Sequence, residues 1–369
     1  MIGAVPTPPG PRCVVVGAGL LGLSAAWSLS RRGADVLVVE AATPGHARGG
    51  SSGQARIFRL GYPDPLYVQL ARRAQALWAT LEAEHGSTLC QVTGQLTFGP
   101  QMAAIATALT AGGGPFEALS MAEAARRFPG VRTGGPALFE ADSGVLRADQ
   151  VLRALVATGS FELRTGAPVQ QVEDGAGGAT VVLAGGQRLP ADVVVNCAGH
   201  HALALLPAGV AVPVRRPPTR QQVAYLALPP GQAIPVFIEW GPDMVYGLPV
   251  PGAGLYKLAQ HLPGPPLTSD DDPLDDDPAL VGTLLAAARR LLPGLVPEPV
   301  ATERCPYDNT ADSDFILDRV GHVVVGCGTS GHGFKFGPLL GELLADLALG
   351  TPPPVDPSRF ALQRPGPAL

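Results

Sequence analysis

The sequence predicts an α/β domain on a parallel sheet, interrupted by a second, α+β domain with an antiparallel sheet. Three observations predict it. Close to the start, an apolar run of strand length breaks into three spaced glycines and then a helical pattern. A second such run, residues 191–199, ends in Ala198-Gly199, as suits a buried parallel strand approached closely by a ligand. From 214 to 256 the pattern changes to alternating strands punctuated by turns, which is the pattern of an antiparallel sheet.

The first observation is the most specific. Residues 13–16 are apolar and lead into Gly17-Ala18-Gly19-Leu20-Leu21-Gly22. Helical spacing follows (Leu20, Leu21, Leu23, Ala26, Trp27, Leu29), then Gly33, a second strand at 36–39 and Glu40. Such a unit is Rossmann-like. Gly17 permits the tight turn, Gly19 lets a pyrophosphate approach the backbone, and Gly22 lets helix and strand pack. The helix N-terminus offers free N–H groups and the positive end of its dipole to the phosphates. Glu40 lies where it accepts hydrogen bonds from both ribose hydroxyls, which favours FAD or NAD over NADP.

Length and composition bound the rest. With 369 residues, 46% hydrophobic and 15% charged, the chain can bury a large core in two domains. Its net charge of −5 offers no basic surface for nucleic acid. Residues 1–11 lack the cationic and apolar regions of a signal peptide. No apolar run reaches the roughly 18 residues of a membrane span. The five cysteines, with no C-x-x-C pair, argue against a disulfide framework or a zinc site and for the cytoplasm.

In chain order, a Gly/Ser loop at 43–53 holds Ser51 and Ser52 and runs into Arg56 and Arg59, two cations where charges are sparse. Helices are expected at 67–84, 100–111, 121–129, 149–158, 279–292 and 337–349. Strands are expected at 92–98, 161–164, 169–172 (opening on Val169), 221–226, 236–240, 244–249, 254–257, 315–317 and 322–325, with a hairpin over 180–189. The six Asp within 269–277 lack the Gly and terminal Glu of a calcium loop and read as a solvated loop. The last helix starts directly after a glycine-rich turn and is expected to present a second positive N-terminus. The cofactor domain is then 1–88, 146–214 and 304–369, and the substrate domain 89–145 and 215–303.

Three clusters carry the chemistry: Arg56 with Arg59; Lys257 with His261; and Cys305 followed by Gly328-Thr329-Ser330-Gly331-His332-Gly333-Phe334-Lys335. Together with G-G-S-S-G-x-x-R-I-x-R, Y-G-L-P and G-L-Y-K-L-A-Q-H, they resemble the monomeric sarcosine oxidase and N-methyltryptophan oxidase family. These are FAD-dependent amine oxidases of the D-amino-acid-oxidase type. The resemblance spans nearly the whole chain and makes the cofactor FAD. It implies oxidation of a secondary amine (N-methyl or cyclic) in an amino acid, with oxygen reduced to hydrogen peroxide, by a monomer.

Residue by residue, the resemblance assigns Cys305 to covalent attachment of the flavin, from a loop facing its dimethylbenzene edge. Lys257 is the cation that assists reaction with oxygen, and Arg56 packs against the flavin. Arg59 and Lys335 hold the substrate carboxylate, while Tyr246 and His261 line the substrate cavity. The cofactor-binding set is completed by Val169, Ala198, Gly199, Gly328, Ser330, Gly331, His332 and Gly333. The chain departs from the family pattern at Ser51-Ser52, Gln54-Ala55 and Pro306-Tyr307-Asp308.

Overall fold

The computed structural model describes residues 10–269 and 276–366. Its first sheet has six strands, in the order Ile316–Val320, Val323–Cys327, Val193–Asn196, Arg12–Val16, Asp35–Val39 and Glu162–Arg164. All neighbours are parallel except the first pair. Helices Leu20–Arg31, Pro65–His85, Ala148–Thr158 and Gly337–Leu349 cover one face. The hairpin strands Val169–Gly175, Gly178–Leu183 and Arg188–Ala191 cover the other. With both faces covered, the central strands are continuous runs of buried Val rather than alternating ones.

The second large sheet has eight strands. Their order is Pro299–Tyr307, Thr219–Ala227, Leu255–Gln260, Val245–Val250, Val236–Glu239, Gln95–Phe98, Ala137–Glu140 and Glu117–Leu119. It is antiparallel apart from one parallel junction, where Val236–Glu239 meets Gln95–Phe98 and the two inserted segments join. Helix Pro278–Leu291 packs against it through Leu284, Ala287, Ala288 and Leu291. Its edge strand runs past the expected boundary at 303, because its ladder with Thr219–Ala227 continues to Tyr307. Cys305 therefore sits on a strand and not, as expected, in a loop.

A third sheet, Ala55–Phe58, Gly144–Arg147 and Cys90–Val92, escaped the sequence reading. Its strands have three or four residues, too few to display a period. Of the acidic run, residues 270–275 lie outside the described residues. Asp277 at its end caps the helix by accepting from the N–H groups of Ala279 and Leu280, at 3.0 and 3.2 Å. The expectations for residues 1–9 likewise lie outside the described residues.

Candidate active site

The site is a cavity of about 490 Å³ with a smaller chamber of about 70 Å³ beside it; Arg56, Tyr246, Lys257, Gly331 and Phe334 line both. One part of the large cavity is the strand–turn–helix unit. Gly17 has φ +96°, and a side chain on Gly22 would lie 1.9 Å from the Gly17 carbonyl oxygen, so both positions need glycine. Gly19 faces only the Ser51 hydroxyl, whose oxygen accepts the Leu20 N–H at 3.0 Å. Glu40 accepts the Ala18 N–H at 2.7 Å and the Ala42 N–H at 2.8 Å, with His46 Nε2 3.4 Å from its Oε1. A cavity of this size, bounded by a glycine turn, a helix start and a buried acid, fits a dinucleotide.

Val169, Ala198, Gly199, Gly331 and Gly333 line the same cavity, as does Cys305. Six expected residues do not. Gly22 packs helix on strand, and the Ser52 carbonyl accepts from Arg56. The Gly328 N–H donates to Asp308 at 2.6 Å. The Ser330 hydroxyl accepts the Thr310 N–H at 3.1 Å, which pins the turn. His332 and Lys335 face the smaller chamber instead. A 3-10 turn, Phe334–Phe336, precedes the last helix, and Gly337 packs against Leu20, so its N-terminus is not presented to the cavity.

Where the two spaces meet, Arg56 donates to the carbonyls of Gly50, Ser52 and Ala55. Lys257, from the centre of the eight-stranded sheet, also donates to Ala55 O, at 3.2 Å. Burial, reinforced by the Arg56 charge, lowers the Lys257 ammonium to about 7, while Cys305 and Glu303 oppose the shift. Glu303 accepts the Tyr225 hydroxyl at 2.6 Å, and the Tyr225 ring centroid lies 5.9 Å from the Lys257 nitrogen.

The smaller chamber is bounded by Arg59, Trp240, Met244, Tyr246, His261 and Lys335, among others. Arg59 and Lys335 are 7% and 6% exposed. Arg59 donates to Gly61 O and Lys335 to His332 O, the latter at 2.9 Å. Both lie over Tyr62, with 4.0 and 5.6 Å to its ring centroid. Neither forms an ion pair with a carboxylate among the described residues. Burial, and then Arg59, push the Lys335 ammonium well down. Burial, with Arg59 and Lys335, lowers His261 to about 4, so it is neutral at pH 7. His332 Nε2 donates to Ser313 O at 2.8 Å, which leaves Nδ1 to accept from Tyr62 at 3.4 Å.

The geometry thus brings Arg56, Arg59, Tyr246, Lys257, His261, Cys305 and Lys335 together from distant parts of the chain. A family of FAD-dependent oxidoreductases matches residues 12–347. The chain belongs to that family. It is 34% identical to the peroxisomal sarcosine oxidase of Mus musculus, over 95% of each chain. It is also 32% identical to the N-methyl-L-tryptophan oxidase of Yersinia pestis, over 95% of this chain and 98% of that one. Among solved structures it resembles NikD, an amino acid oxidase essential for nikkomycin biosynthesis. That match has a TM-score of 0.84 and 27% identity, over 95% of this chain and 97% of NikD.

Several residues of the candidate site were given no role from the sequence. Tyr62 looked like any loop aromatic, yet two cations share its ring. Tyr307 hydrogen-bonds Tyr246. Met244, at φ +44°, and Trp240 flank the turn between two strands of the large sheet. The Trp240 indole N–H is buried with no acceptor among the described residues. Asp308, which burial raises to about 6, lines the large cavity.

Proposed function

We propose that the enzyme oxidises an amino acid at the carbon beside a secondary, N-methyl or cyclic, amine. The observation that carries this reading is the pair of buried cations, Arg59 and Lys335, neither of which has a carboxylate at ion-pair distance among the described residues. A carboxylate entering the chamber supplies that charge, accepts the guanidinium's hydrogen bonds and returns Lys335 toward its ordinary value. The same two cations disfavour an ammonium, so the amine binds in its neutral form. No side chain is then needed as a strong base, in keeping with a His261 that burial and cations hold neutral. Tyr246 and His261 orient the amine, and the apolar walls Ile57, Ile238 and Leu248 exclude water.

FAD, when bound, supplies the two-electron acceptor and the reaction with oxygen that yields hydrogen peroxide. Arg56, Cys305 and Lys257 would hold and tune it: Cys305 through a covalent bond, Lys257 as the cation beside the place of oxygen reduction. In this reading 1–88, 146–214 and 304–369 serve the cofactor, while 89–145 and 215–303 serve the substrate. The enzyme acts as a cytoplasmic monomer.

The test is a peroxide assay over a panel of N-methyl, cyclic and primary amino acids, with the corresponding carboxylate-free amines. Turnover of N-methyl or cyclic amino acids with stoichiometric peroxide is expected. Preference for glycine or a D-amino acid would reassign the substrate. Flavin reduction without peroxide would make the enzyme a dehydrogenase with another acceptor. A flavin that no amine bleaches would make it a binding subunit.

A further inference from the structure

The carboxylate clamp hangs on a buried acid from the other sheet. Glu140 ends strand Ala137–Glu140 and is 1% exposed, far from Arg59 in sequence. Its Oε2 accepts the N–H groups of Leu60 and Gly61, at 3.0 and 2.8 Å, and the Ser143 hydroxyl at 3.1 Å. Its Oε1 accepts the Gln95 amide at 3.0 Å. Gly61 permits this approach, since a side chain there would lie 2.5 Å from Oε1. The Gly61 carbonyl in turn accepts from the Arg59 guanidinium. With the Thr97 hydroxyl on Oε1 at 3.4 Å, five donors thus hold one carboxylate, and that carboxylate fixes the two peptides that park Arg59.

Glu140 is also an acid that Arg59 faces, whereas Lys335 feels only burial and Arg59. Among the described residues Glu140 has no ion pair at contact distance, and Arg59 acts on it through space, opposing the upward push of burial. Around it the packed elements contribute Arg59 as a charge and Tyr62, Gln95, Thr97 and Ser143 as polar groups. A buried carboxylate with five hydrogen bonds is costly to replace, and its field reaches further than its contacts.

We infer that Glu140 is a positioning residue for substrate recognition. It sets the Leu60–Gly61 backbone so that Arg59 meets a carboxylate in the small chamber. The inference rests on the proposed carboxylate clamp. Glu140 touches neither chamber, so its effect falls on the anion and not on the reacting carbon.

The experiment uses oxidised holoenzyme titrated with pyrrole-2-carboxylate, and with pyrrole as its carboxylate-free counterpart, read by the visible flavin spectrum. Wild type should prefer the carboxylate. Glu140→Gln turns one carboxylate oxygen into an amide NH2, which cannot accept, so the donors on that side lose their partner and the Leu60–Gly61 loop is released. It should weaken pyrrole-2-carboxylate by about tenfold and leave pyrrole within about twofold, the scale expected of a displaced charge-assisted bond. Gly61→Ala pushes the same loop off Glu140 and should reproduce that pattern, which answers the question should Glu140→Gln fail to assemble. Equal affinities in wild type and both variants would overturn the role of Glu140 while the clamp stands. Equal weakening of both ligands would reduce Glu140 to a structural residue. A wild type that binds the two ligands alike would overturn the clamp itself, and the inference with it.

Discussion

The two adjoining spaces of this enzyme are built by different means. The large cavity is bounded at the nucleotide end mostly by backbone and small residues, contributed by consecutive stretches of chain. The small chamber is bounded by large side chains from the 55–62 region, the eight-stranded sheet and the 331–335 turn. Recognition by backbone needs only the right local conformation, so glycines suffice. Recognition of a small anion away from water needs fixed charges, and those must be brought from afar and held against the cost of burial. The lesson is that cofactor binding in this fold is locally encoded, whereas substrate choice is a tertiary property.

The largest effect that would break this contrast is at Cys305, a side chain of the large cavity that is proposed to bond the cofactor. Cys305→Ser should release the flavin to acid or denaturant completely, measured by absorbance of the supernatant and by intact mass. Wild-type flavin that already extracts would return the whole cavity to non-covalent binding.

Next comes the clamp. Arg59→Ala should lower kcat/KM for the amino acid by about 100-fold, near 3 kcal/mol for a lost charged contact, with most of it in KM. An unchanged kcat/KM would remove Arg59 from recognition.

Lys257 tests the boundary between the two spaces. Lys257→Met should slow reoxidation by oxygen about tenfold or more while leaving anaerobic reduction within a fewfold, by stopped flow. Its ammonium is lowered to about 7, so the charge is present below that pH and lost above it. Wild-type reoxidation should therefore fall as pH rises through about 7, and the Met variant should lack that step. Equal slowing of both half-reactions would contradict the assignment.

The smallest effect concerns Asp308. Burial raises its folded value from 3.8 to about 6, so the folded state binds more protons between those values. Apoprotein stability should accordingly fall as pH rises from about 4 to 6. Asp308→Asn should flatten that slope and stabilise the apoprotein at pH 7 by about 1 to 3 kcal/mol. Thermal melts across pH 4–7 would read it, and parallel profiles for the two proteins would rule it out.

Much of this was legible in the chain alone. The Gly17–Gly22 turn, the Val-rich strands and Glu40 are local signals, because a parallel strand buried on both faces and a phosphate turn each leave a compositional mark. The cations Arg56 and Arg59 stood out as sparse charges, and the family resemblance gave roles to them, Lys257 and Lys335. Short pieces were missed. Strand Ala55–Phe58, which carries Arg56, shows no period, and the loop that the family resemblance implied for Cys305 is strand Pro299–Tyr307.

The chain by itself determined the Rossmann-like unit, the antiparallel sheet and the kinds of residue available for chemistry, since these follow from periodicity and backbone freedom. Only the tertiary structure decided that Arg59 and Lys335 share Tyr62, that Lys257 and Arg56 meet at Ala55 O, and that Glu140 holds the loop beneath. Such contacts join residues tens to hundreds of positions apart, and the energy of a buried charge depends on which neighbours the fold brings to it.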